Sequence, residues 1–267
     1  MNRISFLLLF TLAFQSMVST AQETKIRFFG QPGFEFTNNP SLNKNSVYFR
    51  GSGFIFFVTS QINEKISVAA ELNPHYDYRT GPAIEIERIF VRYYHKDALS
   101  FKLGRMYSPL GYWNGNYNFG LILQPTISRP QILIPLHDEG FSYTRSAGFQ
   151  IEGNDLGPLR FSYKVMAGNG IGKFGGTGGV PYNLSQDLNY SANLAIEPVD
   201  GLKLIASGMY NKLNKGSINQ FGDSLTDNIH YWVANGSIVF MNPEKKTEFI
   251  AEYFSSNNSY EKTGTKT

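Results

Sequence analysis

The sequence predicts an all-β chain, an antiparallel transmembrane β-barrel behind an N-terminal signal peptide. Three observations carry that prediction. Apolar and polar residues alternate with a period of two through most of the chain, the alternating segments are long enough to cross a bilayer at a tilt, and the connections switch between tight and long. Composition agrees. Of the 267 residues 17% are charged, against ~25% in an ordinary soluble domain, while 15% are aromatic and 26 are Gly. A mean hydropathy of -0.25 is too polar for a bundle of membrane helices. The 24 Lys and Arg against 21 Asp and Glu leave a charge of +3, too small and too scattered for a nucleic-acid partner. Without Cys, disulfides, thiolate metal sites and cysteine nucleophiles are excluded.

The N-terminus indicates the compartment. Arg3 makes a positive start, residues 4–14 are apolar apart from Ser5 and Thr11, and Ser19 and Ala21 set small residues before Gln22. That is the three-part pattern of a secretory signal. The run falls short of the ~17–25 apolar residues that span a bilayer. Residues 1–21 are therefore expected as signal peptide and 22–267 as the barrel, exported from the cytoplasm of a Gram-negative cell.

Eleven segments then read as strands: 24–37, 46–60, 65–78, 83–94, 98–107, 140–152, 158–167, 188–197, 201–211, 228–240 and 246–254. In the third, Ile66, Val68, Ala70 and Leu72 oppose Ser67, Glu71, Asn73, His75 and Asp77. In the sixth, Phe141, Tyr143, Ala147, Phe149 and Ile151 oppose Ser146, Gly148, Gln150 and Glu152, with Arg145 intruding on the apolar side. Alternation alone also fits a secreted β-sandwich. Lengths of 9–15 residues favour tilted spanning strands. Aromatic residues at segment ends (Phe28, Phe29, Tyr76, Tyr78, Tyr93, Tyr94, Tyr107, Tyr210, Tyr231, Trp232, Tyr253 and Phe254) suit interfacial girdles. The links 61–64, 95–97, 153–157, 198–200 and 242–245 are tight. Those at 38–44, 108–139, 168–186 and 213–226 are longer, with 79–82 a short exception. Short periplasmic turns and long external loops have this asymmetry. An odd count does not close a single-chain bacterial barrel. The expectation is therefore a chain truncated at its C-terminus after a loop-like tail at 255–267, with strand fragments hidden in 120–136 as the alternative.

Motifs for chemistry are weak. Gly170, Gly172 and Gly175 spell a dinucleotide fingerprint, yet Thr177, Gly178, Gly179 and Pro181 follow where a helix must begin. The four His have no metal-ligand spacing, and His137, Asp138 and Glu139 sit beside no nucleophile. The reading is no enzyme, no cofactor and no metal. What stands out is charge on the polar faces: Glu71, His75 and Asp77 on the third segment, Arg88 and Arg92 on the fourth, Lys102 on the fifth, Arg105 where Gly104 would mark a bulge, then Arg160 and Lys164. An acidic wall beside a basic wall sets a transverse field across a water-filled pore; the alternative is that these charges pair and fill the lumen. The link 108–139 carries Tyr112, Trp113, Arg129 and His137 among four Pro. Folded inward it would constrict the pore; a rigid cap or a subunit contact are the other readings.

The run from Leu103 through Gly104, Arg105, Pro109 and Gly111 to Tyr112, Trp113 and Asn114 resembles a segment of porin-like outer-membrane proteins of Bacteroidetes type. Ser128, Arg129 and Pro130, then Pro135, His137 and Gly140, are similar to the stretch that follows it. Glu87, Arg88, Arg92 and Tyr93 resemble the preceding strand in phosphate-selective porin relatives. The likeness spans residues 45–165, and no Lys-rich phosphate loop matches. It implies a channel in the outer membrane, set among lipid and lipopolysaccharide, for passive diffusion of small hydrophilic solutes including anions, with a homotrimer by analogy to general porins. A non-conducting barrel whose loops bind a surface partner or polysaccharide is the competing class.

Overall fold

The computed structural model describes residues 23–39, 44–77, 81–117, 130, 144–169, 187–216, 226–242 and 244–261; the expected signal peptide and most of the link 108–139 lie outside them. Among the described residues, period-two alternation gives eleven strands in one antiparallel meander. They are β1 (Glu23–Asn39), β2 (Lys44–Gln61), β3 (Ile66–Asp77), β4 (Gly81–Lys96), β5 (Leu99–Tyr107), β6 (Arg145–Leu156), β7 (Phe161–Asn169), β8 (Leu188–Val199), β9 (Leu202–Leu213), β10 (Asn228–Asn242) and β11 (Thr247–Glu261). Every strand pairs with its neighbours in the chain, in the order β1 to β11. Among the described residues β1 and β11 each have one partner strand. The fold is that of a transmembrane β-barrel.

Which residues point outward follows from register, because cross-strand partners share a face. On β4, Ile84, Ile86, Ile89, Val91 and Tyr93 are exposed. Leu103, Phe149, Val165 and Leu194 continue the outer band across β5–β8, and Trp232, Ile238 and Phe240 on β10 extend it. An exposed apolar surface this continuous would aggregate in water and is at home in lipid. The inner face carries the charges and a second apolar patch.

Several expectations change. The β3–β4 ladder pairs Glu71 with Arg88 and then Leu72 with Ile86, so Glu87 is an extra residue. This bulge lies on β4, while the ladder runs through Gly104 without a shift. Strand β6 begins at Arg145 rather than 140. Thr144 leaves the ladder because its carbonyl accepts the Ser108 N–H at 3.0 Å and the Asn114 amide at 3.1 Å. Strand β11 continues to Glu261, where the polar stretch 255–261 had read as a tail; pairing from Ser255↔Ala234 to Glu261↔Asn228 holds it. A strand is fixed by its backbone ladder, so polar side chains do not end it. Tyr107, Tyr231 and Phe254 are buried at the inner face rather than belonging to an interfacial girdle.

Candidate functional site

The inner wall of β3–β6 is a network of ion pairs. The bulge turns both Glu87 and Arg88 to the inside. Arg88 Nε donates to Glu71 Oε2 at 2.7 Å, with Glu71 wholly buried. Tyr107 donates its hydroxyl to the same oxygen at 3.3 Å, and the Arg88 guanidinium lies 4.5 Å from the Tyr107 ring centre. Glu87 pairs with Arg145. The intruding cation of β6 is thus satisfied by the extra carboxylate of the bulge. At Glu71 the acidic wall expected beside the basic wall is paired with it, as in the alternative reading: the carboxylate touches its cation on the next strand.

Toward the end of the tight turns the balance tips. Glu152 on β6 accepts from Arg92 at 3.1 Å, Lys102 at 2.9 Å, Gln150 at 2.7 Å and Ser100 at 3.3 Å. Lys164 is its cross-strand partner on β7, and Lys203 on β9 lies within electrostatic reach of Lys164. Among the described residues neither Lys164 nor Lys203 has a carboxylate within ion-pair distance. Two cations share one carboxylate, and two more stand beside them. The wall borders a cavity of about 210 Å³ whose other side is the segment 108–117. A second cavity of about 340 Å³ toward β1 and β2 shares Arg88, Phe90 and Lys102 with it.

That segment leaves β5 and crosses the interior to the inner face of β8–β11. Gly111 makes the turn at φ +70°, where a Cβ would meet Glu252 Oε1 at 2.6 Å. Its N–H donates to Ser207 Oγ at 2.7 Å. A single helical turn, α1 (Trp113–Asn116), follows. The Glu252 carboxylate accepts the N–H of Tyr112 at 2.6 Å, the N–H of Trp113 at 3.1 Å and the Ser237 hydroxyl at 2.8 Å. The Tyr112 hydroxyl donates to Glu248 at 2.8 Å. Burial, then the bond to Glu248, pushes that phenol well above its ordinary range. Leu110 and Trp113 pack into Met209, Tyr231, Val233 and Phe254, and Tyr112 into Ala195, Ile205 and Val239.

The residues singled out by sequence are therefore divided. Glu71, Arg88, Arg92, Lys102 and Lys164 come together on the inner face. Arg105 pairs with Ile89 and Ala147 in the β4–β5–β6 ladder, directly after the irregular Gly104, and its Nε is buried. Arg160 is corrected: it sits in the β6–β7 turn at φ +46° and binds Asp155, Glu197 and Asp200, tying two turns together away from the lumen. His75 and Asp77 take their places in the β3 ladder opposite Ala83 and Gly81, and their side chains lie outside the described residues. Tyr112 and Trp113 are in the docked segment; Arg129 and His137 fall outside the described residues. Sequence reasoning missed Glu87, Arg145, Lys203, Glu248 and Glu252. Lys203 and Glu252 were open to alternation, between Leu202 and Leu204 and between Ala251 and Tyr253. Glu87 needed the bulge, which one strand alone does not disclose.

An apolar band outside, a charged network inside and a segment folded across the middle define the class: an outer-membrane β-barrel. The same fold is found in a solved structure, described as OmpT (in-vitro folded), an outer membrane protein of Vibrio cholerae in its trimer form. The superposition has a TM-score of 0.52 at 9% identity and covers 92% of this chain and 69% of that one. At that identity the likeness is one of fold. No protein-family model matches the chain, and no curated protein matches it.

Proposed function

We propose that this protein is a porin-like channel of the cell outer membrane that lets small hydrophilic solutes diffuse passively and favours anions. It acts without a cofactor, and it performs no catalysis. The observation that carries this reading is the excess of cations on the inner wall, where Arg92 and Lys102 share Glu152 while Lys164 and Lys203 line the same open volume without an ion-pair partner among the described residues. A low-dielectric wall lined with one sign of charge raises the local concentration of the opposite ion. The segment 108–117 narrows the passage by holding Tyr112 and Trp113 across it. Kinship with the phosphate-selective porin relatives of Bacteroidetes-type bacteria rests on the sequence motifs around Arg105 and Pro109. The trimer form of the solved neighbour supports a homotrimer embedded in lipid and lipopolysaccharide.

Planar-bilayer recording of the refolded chain under a salt gradient tests the reading. Discrete steps with an anion-leaning reversal potential are expected, and Lys164→Glu with Lys203→Glu shifts that potential toward cations. Steps with unchanged selectivity in the variant refute the assignment of the wall. One observation favours a second reading: Leu110, 1% exposed, seats the segment firmly on the inner face, as a plug would sit. Silence from a correctly folded, heat-modifiable barrel would establish the non-conducting class, whose loops bind a surface partner or polysaccharide.

A further inference from the structure

The cavity between the basic wall and the docked segment holds two kinds of unmet bonding capacity. Lys164 and Lys203 present ammonium groups with no carboxylate in ion-pair range among the described residues. Cations held in a partly dehydrated interior are costly until an anion joins them. Beside them stands a neutral acceptor. Asn193 donates its amide N–H to the Gly111 carbonyl at 3.4 Å, which leaves Oδ1 to accept. The Phe90 and Tyr112 rings complete the lining with apolar faces.

From this juxtaposition we infer that the cavity is a binding site for a small hydroxylated carboxylate, a sugar acid, which sits with its carboxylate on Lys164 and Lys203 and a hydroxyl on Asn193, the inner-face partner of Lys164. A bare inorganic anion satisfies the ammonium groups and leaves the acceptor without a donor. A neutral sugar does the reverse. Unpaired buried groups of either kind penalise the wrong ligand strongly. The volume, about 210 Å³, has room for one ring-sized solute. The aromatic faces match the C–H face of a sugar ring. The inference deepens the channel reading, because it places this site on the solute path, yet binding itself does not require conduction.

The test is titration calorimetry of the full chain folded in detergent micelles, with glucuronate, glucose and inorganic phosphate as separate probes. Glucuronate is expected to bind, with glucose and phosphate at least tenfold weaker. Lys164→Gln with Lys203→Gln should weaken glucuronate at least tenfold, Lys203→Arg alone should keep most of the affinity, and Lys245→Gln in the distant β10–β11 turn should leave it unchanged. Heat-modifiable migration verifies that each variant is folded; were the double variant to misfold, Lys203→Gln alone should still weaken binding severalfold. The inference is overturned if glucuronate does not bind, if glucose or phosphate binds as tightly, or if the folded lysine variants bind like the parent. Bilayer recording separates the two levels. A protein that binds glucuronate but never conducts keeps the site and loses the channel. One that conducts but shows no binding keeps the channel and loses the site.

Discussion

Removing the Glu252 carboxylate should loosen the segment 108–117 from the inner wall. The carboxylate accepts two backbone N–H groups and a serine hydroxyl, at 2.6, 3.1 and 2.8 Å. Hydrogen bonds to a charged acceptor contribute about 1.5–3 kcal/mol each, and a donor stranded in a buried place costs a further penalty. Glu252 is half-buried and water can replace part of its role, so Glu252→Ala should cost about 2–4 kcal/mol of docking free energy. Leu110 provides a second anchor, since emptying a fully buried leucine site costs about 2–5 kcal/mol. With the two anchors of similar size, the variant stays docked on average, but its open population rises roughly 30- to 700-fold. Amide hydrogen exchange at Tyr112 and Trp113 reads this directly, as loss of protection by the same factor. Acrylamide quenching gives a second measure: of the two Trp residues, Trp113 is buried and Trp232 faces lipid, so a Trp232→Phe background isolates the docked one. Glu248→Gln, which touches only the Tyr112 phenol among the segment's groups, should have a smaller effect of about 0.5–1.5 kcal/mol. If exchange at both amides in Glu252→Ala stays within threefold of the parent, the carboxylate is not what holds the segment.

Three further outcomes follow from the same geometry. Glu152→Ala strips Arg92 and Lys102 of their shared counter-ion and should destabilise the barrel by about 3–5 kcal/mol, toward the lower end because Arg92 keeps a third of its side chain in solvent; urea unfolding measured against the parent would show it. Gly104→Ala should cost about 1–3 kcal/mol, since φ is +135° and the added Cβ would meet Phe90 Cα at 2.7 Å, while Gly236→Ala enters open space and should be near neutral; equal midpoints for the two variants would contradict this. The Tyr112 phenol is held neutral by burial and Glu248. Its raised folded pKa means that this stabilisation is complete below the ordinary tyrosine range near ~10 and is lost as pH climbs through the folded value. Trp113 quenching should therefore be flat up to that range and increase only in stronger alkali, and a rise beginning near neutral pH would assign the docking to another group.

Eleven strands were legible because the side-chain period of a strand is fixed by geometry and lipid enforces it on the outside. Ile84, Ile86, Ile89 and Val91 report their own direction, and a slip by one residue would turn all of them inward. The inner face was harder. Arg145 reads as an intruder among apolar residues, and only a bulge on a strand 58 residues earlier, which supplies Glu87, makes sense of it. Arg160 looked like one more inward cation because the alternation of Leu159, Phe161 and Tyr163 runs past the strand end into a turn. The pairing of Glu71 with Arg88 is a register fact, and register between strands is written in two segments at once.

The docked segment did leave a trace in the sequence, on the strands that receive it. Strand β4 alternates as a wet-lined wall must, with Glu85, Glu87, Arg88 and Arg92 turned inward against isoleucines outward. Strand β10 does not. Its outer positions hold Trp232, Ile238 and Phe240, and its inner positions hold Tyr231, Val233 and Val239. On β9 the inner row includes Ile205 and Met209. A strand apolar on both faces cannot have lipid on one and water on the other without losing on the order of 1.5–3 kcal/mol for each large side chain left wet. Something apolar has to cover the inner face. In this chain Leu110, Tyr112 and Trp113 do so, and the polar atoms that must accompany them find Ser207, Glu248 and Glu252 set between the apolar positions. The two halves of the lumen are thus different in kind: β3–β7 keep their charges solvated or paired beside open volume, while β8–β11 bind a piece of their own chain. A solute crossing this barrel would pass between the two, with the basic wall on one side and the back of the docked segment on the other.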